Sequence, residues 1–202
     1  MAKGLLMQTP QTEMDIFQAI LARRSVRSYT RQRVTHKTIM ALLTGAARAP
    51  AVLHEEPCAF VIIQDRELLQ TLSDYTRPLL NTRPEIYDNV SIQVSNHPDF
   101  NLFYDAGTLI IICTRSAAPF AEANCWLAAE NLILAACGMN LGTCIIGAAL
   151  PAMKTLELKP RFGIPDQFEA VVPIVLGWPR GEARRVPRKA PVIVNMIPSL
   201  LD

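Results

Sequence analysis

The distribution of hydrophobic and polar positions predicts a chain of alternating helices and strands. Apolar residues recur at helical spacing in several segments, and short β-branched runs lie between them. The run over 108–114, Thr-Leu-Ile-Ile-Ile-Cys-Thr, predicts a strand that is buried on both faces. In chain order, the predicted elements are helices over 16–22 and 36–49, a strand over 59–63, a helix over 65–75, the strand 108–114, a helix over 120–137, a strand over 142–147, a helix over 151–158 and a strand over 169–177.

Two segments lack such a period. Residues 76–103 contain three prolines and predict an irregular, variable excursion, which either covers a substrate as a lid or lies at the periphery. The C-terminal extension, residues 178–202, is proline-rich but too apolar to extend freely into water, so we expect it to lie across another surface. Because helices alternate with unevenly spaced strands, the predicted fold class is α+β, with a sheet flanked by helices in a single domain over 1–202.

Composition adds an expected subunit interface and excludes some partners. Of 202 residues, 50% are hydrophobic and 19% are charged, against roughly 25% charged in an average soluble protein, so we expect part of the apolar surface to contact another subunit. A net charge of +2 from scattered basic residues gives no support for nucleic-acid binding. The apolar run 127–146 is interrupted by Glu130, Asn131 and Asn140, so we expect a buried helix and strand there, not a membrane span.

The five cysteines have no close pair in sequence and lie in apolar surroundings. We expect them to be small buried hydrophobic residues in a reducing compartment, and neither a disulfide framework nor a zinc site. Cys58 is likewise interpreted as a packing residue in preference to a reactive thiol. No two of the three histidines share metal-ligand spacing, so no metal is predicted. The N-terminal residues lack the apolar segment of a signal peptide, and the expected location is the cytoplasm.

The segment Arg23–Tyr29, Arg-Arg-Ser-Val-Arg-Ser-Tyr, is the strongest candidate for chemistry. Three guanidiniums and two serine hydroxyls directly follow the first predicted helix. Arginine offers a planar fork of donors to a phosphate, and serine adds a short neutral donor. The alternative is a solvated basic helix end, where positive charge complements the helix dipole.

Four separated segments carry a resemblance to a known family. They are Arg23–Tyr29; Ala46–Pro50 with a loop, Pro57 and a strand after it; Ala128–Ala136 followed by Leu141–Gly147; and Phe162–Pro165 with Leu176–Pro179, closed by Pro187–Lys189. In this order and spacing the chain resembles the nitroreductase family of FMN-dependent oxidoreductases over about residues 15–191. The resemblance implies a mainly antiparallel central sheet. It also implies a homodimer in which the C-terminal extension wraps the partner subunit and FMN lies at the interface.

The resemblance assigns several residues to the FMN phosphate and ribityl chain. Arg23 and Ser25 are expected to grip the phosphate and ribityl groups, with Arg24 assisting. Either Arg188 or Lys189 is expected to complete the phosphate site, and Arg188 is the preferred assignment.

Further residues are assigned to the flavin ring. Arg27 is expected to approach the pyrimidine edge, where a fixed guanidinium stabilises the negative charge of the reduced flavin. The backbone N–H groups of Ile146 and Gly147 are expected to point at N5 and O4, since a glycine-ended strand lets the main chain approach the ring.

The chain departs from the family in the loop after Pro50. Relatives carry one or two serines, an asparagine and then Gln-Pro-Trp, whereas residues 51–58 here read Ala-Val-Leu-His-Glu-Glu-Pro-Cys. Pro50, Ala51, His54 and Glu56 are expected beside the flavin of the partner subunit, but His54 replaces the asparagine and Glu56 the glutamine. A carboxylate lowers the potential of a neighbouring flavin unless it is protonated or paired, and His54 is a candidate partner.

The resemblance implies an NAD(P)H-dependent enzyme with a ping-pong mechanism. Hydride from NAD(P)H would pass through flavin N5 to an electron-poor acceptor such as a nitroaromatic or a quinone. No catalytic side chain is assigned beyond Arg27 as an electrostatic tuner, since the cofactor carries the chemistry. The altered loop supports two alternatives: changed flavin chemistry, such as dehalogenation or dehydrogenation, or a flavin-binding or flavin-free interaction protein with no enzymatic role.

Overall fold

The computed structural model describes residues 14–51, 58–80, 97, 100–115, 119–183 and 187–197. Its strands are β1 (Ala59–Ile63), β2 (Thr108–Thr114), β3 (Gly142–Ile145) and β4 (Glu169–Gly177), and its helices are α1 (Ile16–Ala22), α2 (His36–Ala46), α3 (Arg66–Leu80), α4 (Ala121–Gly138) and α5 (Leu150–Met153). Within these ranges the strands form one antiparallel sheet in the order β1–β2–β4–β3. The predicted α+β class, with a mainly antiparallel sheet and flanking helices, is confirmed.

Strand β2 lies at the centre of the fold, and each of its seven residues is buried. Its side chains enter two separate cores. Ile110 and Ile112 pack with α2 and α4, whereas Leu109 and Ile111 pack with α3 and α5 on the opposite face. A strand covered on both faces needs no polar alternation, which explains the continuous apolar run in the sequence.

Helix α1 begins at a reciprocal cap and exposes most of its apolar side chains. The Asp15 carboxylate accepts from the Gln18 N–H at 2.8 Å, and the Gln18 side chain accepts from the Asp15 N–H at 3.0 Å. Ala19 is buried, but Phe17 and Leu21 are each 74% exposed. The described part of the chain therefore leaves an apolar face of α1 uncovered.

Helix α4 is apolar around much of its circumference. Cys125 and Leu132 are fully buried, while Trp126 on the other side is 45% exposed. The helix includes Gly138, one residue beyond its predicted end, and the left-handed residue that follows it is Asn140, with φ of 58°. No helix among the described residues has the length and apolarity needed to cross a bilayer.

The predicted end of α3 near residue 75 is wrong, because the helix continues to Leu80. Thr76 and Leu80 extend the buried face that Leu69 and Leu72 begin, and this burial outweighs the missing N–H of Pro78 in the last turn.

The predicted helix over 151–158 is also wrong in extent. A 3₁₀ turn (Gly147–Ala149) leads into α5, which ends at Met153. Thr155 explains the early end, because its hydroxyl donates to the Ala152 carbonyl at 3.0 Å and accepts from the Leu158 N–H at 3.1 Å. Such side-chain bonds replace the helical ladder with a turn. Two further predicted ends shift inward, to Ala46 for α2 and Ile145 for β3.

Arg77 fixes the point at which the chain returns to α3. Its guanidinium donates to the Phe100 carbonyl at 2.8 Å and lies 5.8 Å from the centroid of the Phe100 ring. A third contact, to the Asp74 carboxylate at 3.0 Å, holds the side chain on the helix. Most of the predicted excursion over 76–103 lies outside the described residues, but both of its flanks meet at Arg77.

Candidate functional site

The Arg23–Tyr29 segment leaves α1 and lies along the β3–β4 edge of the sheet. The Val26 N–H donates to the carbonyl of Thr143 in β3 at 2.9 Å. Beyond β4, the Thr30 N–H donates to the Trp178 carbonyl at 2.8 Å, and the Arg180 N–H donates to the Ser28 carbonyl at 2.9 Å. These main-chain bonds hold the basic segment as an irregular extension of the sheet.

Two glycines provide the space for this docking. A Cβ atom at Gly142 would lie 2.8 Å from the Cβ of Val26, and a Cβ atom at Gly177 would lie 2.9 Å from Cδ1 of Tyr29. Both distances are shorter than any side chain tolerates without movement. The segment therefore approaches the sheet closely because these two positions have no side chain.

Tyr29 anchors the far end of the segment. Its ring is 3% exposed, and its hydroxyl donates to the Val26 carbonyl at 2.7 Å. Burial raises the pKa of the Tyr29 phenol, so the hydroxyl stays protonated and keeps this bond at physiological pH.

The segment forms one wall of a cavity of about 1090 Å³. The opposite wall comes from the chain after β4. Five arginines and one acidic residue, Glu182, contribute to the lining; the arginines are Arg23, Arg24, Arg27, Arg180 and Arg188. The lining has a strong excess of positive charge and is therefore suited to an anionic group.

Arg23 and Ser25, the two residues expected at the phosphate, both line this cavity. Arg188 and Lys189 are both exposed, but Arg188 is part of the cavity lining and Lys189 is not. Residues that precede the first strand in sequence and a residue that follows the last strand thus line the same cavity. The geometry favours Arg188 over Lys189 as the tail residue of the site.

Arg27 is exposed at the cavity and is held by its neighbours. Its guanidinium lies 5.9 Å from the centroid of the Tyr104 ring. Partial burial lowers the pKa of Arg27 and a hydrogen bond with Tyr104 raises it; the net pKa is raised, so the side chain remains charged. Burial raises the pKa of the Cys144 thiol, which keeps Cys144 neutral beneath this arginine.

Arg24 has a structural role at the end of α1, which matches the alternative interpretation of the basic segment as a helix end. Its Nη1 donates to the carbonyls of Leu21 and Arg23, both at 2.6 Å, and so satisfies acceptors at the C-terminal end of α1. Its Nε is buried and has no partner among the described residues. The side chain faces the cavity, but two of its hydrogen bonds serve the helix end.

The two backbone donors expected at the flavin ring differ in availability. The Ile146 N–H donates to the Pro173 carbonyl at 2.9 Å, so this group is used within the sheet, in contrast to the expectation. The Gly147 N–H has no acceptor within the described residues. A Cβ atom at Gly147 would meet no atom within 4 Å, so a ligand has open space to approach its backbone. Neither residue lines the arginine cavity.

The remaining expected residues lie apart from the cavity or outside the described chain. Pro50 is exposed and Ala51 is half-buried after α2, and neither lines the cavity. His54 and Glu56 lie outside the described residues.

Sequence reasoning missed two residues at the site. Arg180 lines the cavity, and Tyr104 supports Arg27. The sequence contains one signal for Arg180, a Pro-Arg-Gly turn directly after the Leu-Gly-Trp end of β4. Tyr104 has a φ of 54°, a backbone conformation that no local sequence pattern announces.

Comparisons with known proteins agree with this geometry. A protein of Methanothermobacter thermautotrophicus, with the provisional name NADH dehydrogenase/NAD(P)H nitroreductase, is 27% identical over 172 residues, covering 83% of this chain and 79% of that protein. An iodotyrosine deiodinase of Thermotoga neapolitana is 21% identical over 178 residues, covering 85% and 92%. The crystal structure of a nitroreductase with bound FMN from Bacteroides fragilis superimposes with a TM-score of 0.77 at 22% identity, covering 91% and 98%.

The sequence model of the nitroreductase family matches residues 20–178, which is most of the chain. That match begins just ahead of the basic segment and ends just past β4, and so includes the sheet and the greater part of the cavity wall. This chain belongs to the nitroreductase family.

Proposed function

We propose that this protein is an FMN-dependent oxidoreductase that takes hydride from NAD(P)H and delivers it to an electron-poor acceptor, such as a nitroaromatic or a quinone. The observation that carries the proposal is the cavity in which Arg23, Ser25, Arg27 and Arg188 meet, in a chain of the nitroreductase family. When bound, FMN supplies the hydride chemistry at N5 of its ring.

The residues present fit this cofactor in size and in charge. The cavity volume of about 1090 Å³ is slightly above the usual range for small-molecule sites, roughly 300–1,000 Å³, so a molecule of cofactor size has room there. Five guanidiniums against the single carboxylate of Glu182 match a phosphate dianion. The buried Nε–H of Arg24, which has no partner in the described chain, adds an available donor.

We assign the phosphate to Arg23 and Arg188 and the ribityl hydroxyls to Ser25. Arg23 follows α1 and Arg188 lies in the C-terminal extension, and both line the cavity. Their guanidiniums offer planar pairs of donors that match phosphate oxygens. Because these contacts bear on a group remote from the ring, they hold and orient the cofactor without entering the reaction.

Arg27 and Gly147 are assigned to the ring. Arg27 keeps its charge, and Tyr104 restricts its position. A fixed positive charge beside the pyrimidine edge favours the two-electron reduced state and so raises the reduction potential. Of the two backbone donors expected at the ring, the Ile146 N–H is bonded to Pro173. The Gly147 N–H is therefore the one assigned to the flavin.

The functional unit is proposed to be a homodimer. The exposed apolar face of α1 is accompanied by an exposed, apolar C-terminal extension, in which Val192, Val194 and Ile197 are 88%, 96% and 85% exposed. Two such surfaces on one small domain exceed what a soluble monomer usually leaves in water. In a dimer, the loop after Pro50 would then be supplied to the flavin by the partner subunit.

Anaerobic stopped-flow reduction tests the proposal. The purified protein should carry FMN or take it up, and NADH or NADPH should bleach the flavin absorbance. Subsequent mixing with a nitroaromatic or a quinone should restore the oxidised spectrum, and parallel lines in initial-rate plots would indicate the ping-pong order. A protein that rejects FMN would instead support a flavin-free interaction role, and a bound flavin that neither nicotinamide reduces would exclude the proposed donor.

The iodotyrosine deiodinase relative favours a second candidate, reductive dehalogenation of a halogenated phenol. The departure of residues 51–58 from the family pattern is consistent with an altered acceptor. The same reduced protein should then be reoxidised by a halotyrosine with release of one halide ion per flavin. Reoxidation by the nitroaromatic alone, with no halide released from the halotyrosine, would reject this candidate.

A further inference from the structure

Two cysteines that are distant in sequence meet outside the arginine cavity. The Sγ atoms of Cys58 and Cys125 are 3.5 Å apart, although 67 positions separate the residues. Cys58 lies directly before β1, and Cys125 lies in the second turn of α4. The two sulfurs are in van der Waals contact, which is the approach that precedes a disulfide bond of about 2.05 Å.

The two thiols differ in exposure and in acidity. Cys58 is half-buried, whereas Cys125 is fully buried. The hydrogen bond with the Cys125 thiol lowers the pKa of Cys58, which favours the Cys58 thiolate. For Cys125, the neighbouring Cys58 and burial raise the pKa. This asymmetry suits one attacking thiol and one resolving thiol.

The other cysteines do not belong to the pair. Cys113 packs in the core on the opposite face of the sheet, where its sulfur lies 3.8 Å from the Ile111 carbonyl, and burial raises its pKa to about 12. Burial also raises the pKa of Cys137, which lies near Arg23 and Arg24. Cys144 lies beneath Arg27 at the end of the sheet.

We propose that Cys58 and Cys125 form a redox-active dithiol that exchanges with small disulfides. The Cys58 thiolate attacks one sulfur of the small disulfide, forms a mixed disulfide and expels one thiolate. The Cys125 sulfur then attacks the Cys58 sulfur, forms the Cys58–Cys125 bond and expels the second thiolate. Two protein thiols are oxidised, the small disulfide is reduced to two thiols, and the two protein thiol protons pass to the leaving thiolates.

Oxidised glutathione is the probe for this exchange. The full-length protein is incubated with it anaerobically, quenched by alkylation in denaturant, digested and examined by mass spectrometry. A linked peptide pair containing Cys58 and Cys125 should appear in most molecules and disappear on treatment with dithiothreitol. If both residues remain alkylated after incubation with oxidised glutathione, the proposal is wrong. Because the readout is a covalent link, it does not depend on FMN or on the proposed oxidoreductase activity.

Variants establish the order of attack. Cys125→Ala should stop the exchange at a glutathione adduct on Cys58, whereas Cys58→Ser should leave Cys125 fully alkylatable and free of glutathione. Cys137→Ser is the matched control, because Cys137 is also half-buried, and the Cys58–Cys125 link should form in it as in the parent protein. A link from Cys58 to any other cysteine in the parent protein would overturn the assignment.

Discussion

Gly142 and Gly177 are direct cross-strand partners on β3 and β4, and the missing side chains of both are replaced by residues of the basic segment. Val26 lies over Gly142, and Tyr29 lies over Gly177. A single pair of facing glycines thus positions the segment that carries Arg23, Ser25 and Arg27. The sheet and the candidate cofactor site are therefore constructed around the same contact.

Alanine at either glycine should loosen this contact. In Gly142→Ala, the new methyl group would lie 2.8–2.9 Å from three carbons of Val26, so the segment must shift. We expect a loss of about 1–3 kcal/mol in unfolding free energy, the usual cost of overpacking, together with weaker FMN binding. Denaturant melts and FMN titration measure both quantities. Gly45→Ala in α2 is the control, since the nearest atom lies 3.9 Å away and alanine should stabilise that helix by about 0.5–1 kcal/mol.

Removing one phosphate arginine should weaken FMN binding without unfolding the protein. For Arg23→Ala or Arg188→Ala, the loss of a charge-assisted contact should cost about 1.5–3 kcal/mol, which is roughly a 10- to 150-fold increase in Kd. Quenching of FMN fluorescence on titration measures the change. Lys189→Ala is the matched control and should leave the Kd unchanged, because Lys189 lies outside the cavity lining. A larger effect at Lys189 than at Arg188 would reverse the assignment of the tail residue.

Arg24→Ala should instead act chiefly on stability. The two helix-end carbonyls that accept from Arg24 would lose their donor, at an expected cost of about 0.5–1.5 kcal/mol in unfolding free energy. The Kd for FMN should rise less than in Arg23→Ala. A variant of parental stability that loses FMN as strongly as Arg23→Ala would show that phosphate binding is the main role of Arg24.

The pKa values of the two half-buried cysteines, Cys58 and Cys137, should be shifted in opposite directions. The pKa of Cys58 is lowered by its hydrogen bond with Cys125, whereas burial raises the pKa of Cys137. Because the thiolate is the species that reacts, alkylation of Cys58 should begin at a lower pH than alkylation of Cys137. Rates of iodoacetamide labelling across a pH series, resolved by peptide, measure both midpoints. In Cys125→Ala the Cys58 midpoint should move to higher pH, and an unchanged midpoint would contradict the assigned cause.

Charged substitutions on the exposed apolar surfaces should dissociate the proposed dimer. Phe17 on α1 is 74% exposed in the isolated chain, and Val194 in the C-terminal extension is 96% exposed. Phe17→Glu and Val194→Glu each place a carboxylate on one of these surfaces. We expect both variants to shift from dimer to monomer in light scattering coupled to size-exclusion chromatography. Leu156→Glu, at a position that is 95% exposed in the turn after α5, should remain dimeric. A parent protein that is monomeric at all concentrations would remove the basis for a shared site.

Much of the fold could be predicted because burial on both faces leaves a direct mark on sequence. The apolar run of β2 and the helical spacing of apolar residues in α1 are local signals, and both predicted elements are confirmed. The end of α3 was missed because Pro78 is a local signal that a buried face at Thr76 and Leu80 overrides.

The candidate site was predictable only in part, since its geometry depends on contacts between distant segments. Arg23, Ser25 and Arg188 were identified from a family pattern, and the structure brings them to one cavity. The Cys58–Cys125 contact had no sequence signal, because 67 residues separate the two thiols. The engagement of the Ile146 N–H with Pro173 likewise follows from strand register, which is a property of the folded sheet.

The contact of Arg77 with Phe100 has a consequence for how the family can diversify. Because the chain departs from α3 and returns to the same helix, the contact between Arg77 and Phe100 holds the two flanks of the intervening segment together. Exchanging a loop whose ends are pinned together costs little, since closure entropy changes by only about 0.6 kcal/mol for each doubling of length. This region can therefore vary in length at little cost while the arginine cavity and its glycine pair remain unchanged.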